Sequence, residues 1–460
     1  MLKAKWSKSV ISSVICAAAL GTIASLPGNG VLAQEADADD LNLSDQTIEQ
    51  TAQGVVVPSK RTTIRRGETV QSRPRPELDP LGGRIGSFLV FPSFAIQEDY
   101  DSNIFATSTD REDDFITHLE PGLFVESDWG RHSLSFGGEA DVALHADNTS
   151  ENYEDYFLGA DGTLEVGSGG ALDAFIDYDH RHVPRSSPND IVQGTIPTEP
   201  IEFDVFGFGG GYTQEFNRFR VRPEISYQIF DYSGSDLVGG GFDNNDDRNR
   251  DILNISLRGD YAFSPGYSAF VRGSFNDRNY KESINPGGVN RDSDGYEIVA
   301  GLSADLGGLV FGEIFAGYVA QDFSDGDLDN ISDPTVGADV TWNVTPLTTI
   351  EGTVSRTVEE TVVTEGADIA SSNFVTAIGL SVDHELLRNL LIGANVGVEI
   401  DDFEGISRED QIYNAGVNAT YMLNRYLHAS AGYEYFRRNS NVVDTGYTDN
   451  LFFVRLLVQY

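Results

Sequence analysis

The chain has 460 residues, with 31 lysines and arginines against 72 aspartates and glutamates and a formal net charge of −41. Acidity of this degree argues against nucleic acid as a partner, because phosphate recognition needs a basic surface. A mean hydropathy of −0.25 excludes a bundle of membrane-spanning helices, yet 48 glycines, 27 phenylalanines and 19 tyrosines are high for so acidic a chain.

Residues 1–33 stand apart. Lys3, Lys5 and Lys8 precede an apolar stretch from Val10 to Leu26, and Val31-Leu32-Ala33 offers the small residues that signal peptidase needs before Gln34. Ser12, Ser13, Thr22 and Ser25 inside the stretch, and Pro27-Gly28-Asn29-Gly30 after it, speak against a permanent anchor. The segment reads as a cleaved signal peptide, whose loss of three lysines and no acid takes the net charge from −41 to −44. Cys16 is the only cysteine and lies within it, behind an Ile15 too bulky for a lipoprotein box. The mature chain then has no thiol, which excludes thiol catalysis and thiolate metal sites.

Residues 34–83 lack periodicity. They begin acidic (Glu35, Asp37, Asp39, Asp40), turn basic (Lys60, Arg61, Arg65, Arg66) and end at Arg73-Pro74-Arg75-Pro76. This composition predicts a largely disordered periplasmic arm, too short to be the folded plug of a large transporter.

Residues 84–460 form the third region, a predicted outer-membrane barrel. From Gly86 onward one pattern recurs, in which segments of ten to fourteen residues alternate apolar and polar. In Phe219-Arg220-Val221-Arg222-Pro223-Glu224-Ile225 the split is sharp, and the apolar face of Tyr413 to Tyr421 begins and ends with tyrosine. A period of two means strand, and one apolar face means one buried side. A soluble sandwich is the alternative, but its strands usually have about five or six residues, whereas a tilted strand crossing a bilayer needs about nine to eleven. Tyr212, Tyr261, Tyr267, Tyr421, Tyr426 and Tyr433 stand at strand ends, as an interfacial girdle requires.

The connections alternate in length. Eight short ones, such as Phe216-Asn217, Gly307-Gly308 and Asn424-Arg425, separate nine longer polar loops, among them 184–200, 233–249 and 281–292. Short periplasmic turns and long outer loops are the asymmetry of outer-membrane barrels. The predicted fold is all-β: a transmembrane, antiparallel, up-and-down barrel of about eighteen strands, with both termini in the periplasm. Pro92, Pro223 and Pro334 fall inside proposed strands and each removes a ladder donor. Bulges there, or a count of sixteen, are the alternatives. The last strand is the most specific signal. Phe452, Val454, Leu456, Val458 and Tyr460 form one apolar face that ends on an aromatic C-terminal residue, and this reads as an assembly signal for the barrel assembly machinery.

The stretch Arg73-Pro74-Arg75-Pro76-Glu77, then Asp79-Pro80-Leu81-Gly82, Gly86-Ser87-Phe88 and Phe91-Pro92-Ser93, resembles the opening of an outer-membrane β-barrel porin family of proteobacteria. The likeness continues through Tyr100-Asp101-Ser102-Asn103-Ile104-Phe105-Ala106, Asp114-Phe115-Ile116-Thr117 and Ser127-Asp128-Trp129 with Arg131-His132. Members of that family often accompany exopolysaccharide genes. The resemblance implies the fold and an outer-membrane location, and brings no active site with it.

Nothing in the chain reads as a catalytic constellation. None of the seven histidines lies in a nucleophile motif. His180-Arg181-His182 is a conceivable metal pair, outweighed by a solvated loop entrance. Asp325-Gly326-Asp327-Leu328-Asp329 and Asp243-Asn244-Asn245-Asp246-Asp247 offer spaced oxygens, but Asn330 and Arg248 stand where a calcium loop needs its sharp-turn glycine. Solvated surface charge is the expectation there, and no enzyme activity, cofactor or metal is expected.

The interior is the strongest functional surface. If the apolar face meets lipid, the other face lines the lumen. It carries Glu139, Asp141, Asp173 and Asp177, then Arg220, Arg222 and Glu224, then Arg258, Asp260 and Arg272. These are the pore-lining candidates, although such charges also pair across strands and hold a wall. Arg218, Arg220 and Arg222 in a row are a candidate anion filter in an otherwise acidic tube. The resulting expectation is a porin-like passive channel for small hydrophilic solutes or a polysaccharide-related substrate. The alternatives are a structural or interaction barrel for envelope integrity or exopolysaccharide assembly, and an outer-membrane hydrolase. Expected partners are outer-membrane lipid and lipopolysaccharide, with polysaccharide or peptidoglycan as further candidates.

Overall fold

The computed structural model describes residues 67–190, 196–282, 288–365 and 368–460. The expected signal peptide and residues 34–66 of the expected arm lie outside the described residues. Among the described residues the dominant element is one closed antiparallel sheet of eighteen long strands. In chain order these are β1 Phe88–Asp101, β2 Asp114–Ser127, β3 Ser133–His145, β4 Tyr153–Val166, β5 Gly170–Val183 and β6 Ile201–Phe216. There follow β7 Phe219–Tyr232, β8 Arg250–Ser264, β9 Tyr267–Tyr280, β10 Ser293–Asp305, β11 Val310–Phe323 and β12 Ile331–Thr345. The last six are β13 Thr348–Glu359, β14 Ser372–Leu387, β15 Leu390–Glu404, β16 Glu409–Asn424, β17 Leu427–Ser440 and β18 Tyr447–Gln459. Each strand pairs with the next, and β18 returns to β1 from Ser93↔Gln459 to Asp101↔Leu451, which closes the ring. Closure leaves no free edge.

The predicted alternation sets the two faces. From Leu451 to Gln459 every second residue of β18 is buried and the others are exposed. Outward-facing Leu257, Val271, Ile298, Ile314, Val336 and Val417 are all exposed apolar side chains, while inward neighbours such as Arg258, Arg272 and Glu313 are buried. The barrel is therefore apolar outside and polar within. Small apolar clusters interrupt the inner wall, with Leu89, Phe91, Phe124 and Phe157 at one end and Val183, Ile201, Phe203, Val205, Phe230 and Ile252 at the other. No helix among the described residues is long and apolar enough to cross a membrane.

The connections alternate as expected, short turns at one end and longer loops at the other, and both the N-terminal entry to β1 and the chain's C-terminus lie at the turn end. The alternatives of a sixteen-strand count and of bulges at the prolines do not hold. Pro92, Pro223 and Pro334 keep register with Leu123, Leu257 and Tyr318. Pairing on the other side simply lapses, between Gly211↔Glu224 and Gln214↔Val221 for Pro223, and beyond Ala338↔Val354 for Pro334. A proline tolerates one unpaired flank, so the strand continues. The register shifts fall instead at strand ends beside turns, as between Met422 and Asn424.

Candidate functional site

Alternation turns all ten pore-lining candidates inward, and ion pairs bind all four arginines among them. Arg222, Arg258 and Arg272 lie directly opposite one another on β7, β8 and β9, an arrangement that like charges alone would destabilise. Carboxylates resolve it. Arg222 pairs with Glu224 at 2.8 Å, Arg258 with Glu313 at 2.9 Å and Asp260 at 3.2 Å, and Arg272 with Glu297 at 3.0 Å. Arg220 joins Asp260 at 3.1 Å. The Arg258 guanidinium also lies 3.8 Å from the Phe270 ring centroid, a cation–π contact. The expected row of three free arginines on β7 is corrected: Arg218 sits exposed in the turn before the strand, and Arg220 and Arg222 are neutralised.

The acidic candidates divide differently. Asp173 accepts a hydrogen bond from Thr163 Oγ1 at 2.7 Å. Asp141 accepts from His118 Nδ1 at 2.9 Å, and His118 Nε2 stands 3.5 Å from Asp99. Glu139 lies between Gly122 and Phe157. Asp177 rests its carboxylate over Gly207, where a side chain would collide with it. Four inward carboxylates that the candidate set left out, Glu313, Asp339, Glu351 and Asp383, step across β11 to β14, and Glu313 faces Asp339 directly. The same alternation identifies them, so the signal was present in the sequence.

The turn-end mouth holds a part of the arm. Residues 67–82 run along the inward face over β13–β16 instead of trailing away. The Val70 amide donates to Thr349 Oγ1 at 2.9 Å, and Gln71 Nε2 donates to Asp383 at 2.9 Å. Arg75 and Arg73 reach Glu385 at 3.0 and 3.4 Å. Val70 and Leu78 bury themselves against Leu391 and Met422. Outside this pocket, Arg388 pairs with Glu77 at 2.8 Å and Arg425 donates to the Pro76 carbonyl. Burial lowers the Arg75 pKa, opposed by Glu385. Burial likewise raises Asp79, whereas the hydrogen bond from Arg388 lowers Glu77.

At the other end the loops lean over the opening. Asn189, in the β5–β6 loop, accepts from Thr361 Oγ1 at 3.0 Å and from the Val362 amide at 3.1 Å, in the β13–β14 loop. Those strands are far apart around the ring, so the contact crosses the mouth. Arg291 donates to the Ala370 carbonyl at 3.0 Å, and Tyr280 Oη donates to Glu360 at 2.7 Å. Arg185 holds Glu151 at 2.7 Å and Asp190 at 3.1 Å. Burial pushes Asp190 up to about 6, against the pull of Arg185.

The two acidic loops differ. Asp325 is half-buried and held below its ordinary pKa by the amides of Asn290 and Asp327. Asp243 and Asn245 are buried instead, with Asn245 Nδ2 donating to the Ser233 carbonyl at 2.7 Å; the expectation of solvated charge fails there because these side chains pin the loop. His180 and His182 take separate carboxylates, Asp204 at 2.7 Å and Asp155 at 3.0 Å. Among the described residues no three His, Cys, Asp or Glu groups converge as a metal centre.

Solved structures similar to this chain come from Pseudomonas aeruginosa. The ferric enterobactin receptor PfeA matches at 7% identity over 81% of this chain and 80% of its own, with a TM-score of 0.43. The outer membrane protein OpdK matches at 12% identity over 81% and 99%, with a TM-score of 0.40. OccK3 (OpdO) matches at 13% identity over 81% and 95%, also with a TM-score of 0.40. No curated protein matches the sequence. The family model described as Putative beta-barrel porin 2 matches residues 75–460, and the chain therefore belongs to that family of outer-membrane β-barrel porins.

Proposed function

We propose that this barrel is a passive channel for small hydrophilic solutes, that it prefers cations, and that it rests narrowed at both mouths. The observation that carries the reading is the inner wall. Its Arg220, Arg222, Arg258 and Arg272 are tied to carboxylates, while Asp177, Asp339 and Glu351 have no ion pair among the described residues. A ring of eighteen strands encloses enough space for water by geometry. By the usual asymmetry of such barrels the turn end, with both termini, faces the periplasm and the loop end faces outward. The docked segment 67–82 then narrows the periplasmic mouth, and the contact of Asn189 with Thr361 and Val362 bridges the outer one.

That bridge also favours a second reading, a structural or interaction barrel closed by its loops. Planar bilayers separate the two. Discrete single-channel steps, larger in a variant lacking residues 67–82, support the channel; silence from both proteins supports the structural barrel. A polysaccharide-related substrate and a role in exopolysaccharide assembly rest on the family resemblance, and a change in conductance on adding acidic polysaccharide tests the first.

A further inference from the structure

We infer that the inner wall holds a monovalent-cation subsite built by Glu434, Asn395 and Asn418. These residues lie on β17, β15 and β16 in a checkerboard with glycines. Asn395, Gly416 and Glu434 stand directly opposite one another in one row, and Asn418 faces Gly393 and Gly432 in the next. Glu434 lays its carboxylate across Gly416, where any side chain would collide with both oxygens, and so reaches toward Asn395 two strands away. The glycines leave a shallow recess whose polar atoms belong to three separate strands.

Those atoms lack partners beyond one another. Glu434, Asn395 and Asn418 are 1%, 5% and 8% exposed. Apart from each other, Glu434 and Asn395 have no hydrogen-bond partner, and neither has Asn418 Nδ2; among the described residues no arginine or lysine pairs with Glu434. Several other deeply buried acids, Asp260, Glu313 and Asp410 among them, hold an arginine instead. A buried, unpaired carboxylate is costly and calls for an ion. One negative charge among neutral amide oxygens matches one positive charge. Calcium sites usually gather several carboxylates, and a guanidinium or large organic cation needs more room than residues so buried leave. Each asparagine presents Oδ1 simply by turning its amide. The subsite is thus of the sodium or potassium class. It deepens the cation-preferring channel, and its effect on conduction rests on that reading, but binding does not.

The test uses the refolded full-length protein and measures the temperature at which the folded band is lost on SDS gels. Sodium or potassium chloride should raise that temperature by several degrees over N-methyl-D-glucamine chloride at equal ionic strength. Glu434→Gln keeps the shape and removes the charge, so it should fold and lose the ion dependence; Asn395→Ala should weaken it. Equal temperatures in all salts for the wild type mean a Glu434 that needs no ion and overturn the proposal, as does an ion effect that survives Glu434→Gln. A response to calcium alone overturns the monovalent assignment. In bilayers Glu434→Gln should lower the cation-to-anion permeability ratio at least twofold. Silent bilayers together with intact ion-dependent stability would sink the channel and leave the subsite standing.

Discussion

Glycine decides where the inward carboxylates can lie. Asp177 rests over Gly207 and Glu434 over Gly416, each on the strand beside its own; without those bare positions the acids would project into the lumen. Gly82 serves a different need, with a positive φ of 67° and no room for a side chain beside the Phe91 ring. At this scale the two faces are cleanly separated, and one strand tests it. Val417 points outward at 53% exposure, and Asn418 inward at 8%. An arginine at the middle of the outward face costs about 2–4 kcal/mol. Val417→Arg should therefore reduce the folded, SDS-resistant fraction, while Asn418→Arg, whose long side chain can extend into the lumen, should not. Equal yields of both would mean that this register is wrong. Period two made the direction of each of these residues readable from sequence. It did not reveal their partners, because pairing joins strands whose stagger the pattern leaves open: nothing in the chain announces that Arg258 on β8 reaches Glu313 on β11.

Elements were more legible than their ends. The strand count, the turn positions and the loops follow from periodicity and turn residues, because a strand with one apolar face has only one way to bury it. The behaviour of Pro223 and Pro334 did not follow, since a proline's cost depends on whether the flank it faces is paired. Nor did the docking of residues 67–82, which have no periodicity to read and are held by scattered contacts, among them those to Thr349, Asp383 and Glu385. The last strand joins both kinds of evidence. Its outward residues Phe452, Val454, Leu456, Val458 and Tyr460 are all exposed, and its inward Arg455 pairs with Glu120 on β2, over the top of β1. The Tyr460 amide donates to the Pro92 carbonyl at 3.2 Å, and its ring stacks on Tyr426 at 6.1 Å. Tyr460→Asp should leave export unchanged and lower the amount of protein assembled in the outer membrane severalfold, measured by fractionation and heat-modifiable mobility. Wild-type levels of assembled protein would remove the assembly-signal interpretation.

For the molecule as a whole, the proposed channel would respond to charge in two ways. The first is a pH response of the outer loops. Docked Asp190 has its pKa raised by burial to about 6, above the value of about 3.9 for a free aspartate. Arg185 and Arg248 face it and oppose that rise, and Glu151 shares Arg185 with it. A raised pKa means the docked loop binds the proton more tightly than the free loop does. The contribution to docking is therefore full below about pH 4 and lost as pH rises through about 6. Lowering the pH on the loop side from 7 to 5 should reduce open-channel time severalfold, and Asp190→Asn should flatten the response. Opening at acid pH would reverse the assignment.

The second is selectivity. With Arg220, Arg222, Arg258 and Arg272 tied to Glu224, Asp260, Glu297 and Glu313, the field inside is set largely by the acids that remain, and the chain as a whole carries −41. A water-filled tube with low-dielectric walls focuses such a field and concentrates cations. The Debye length falls from about 10 Å at 0.1 M salt to about 3 Å at 1 M, so added salt should weaken the preference. Reversal potentials under a potassium chloride gradient should show cation preference at low salt that declines toward neutrality near 1 M. Substituting Glu313 by Gln removes one of the two carboxylates that hold Arg258, leaving it to Asp260 alone, and should shift the reversal potential toward anions. Anion preference in the unmodified protein at low salt would mean that the arginine row governs permeation despite its pairing, and the charge argument would fall with it.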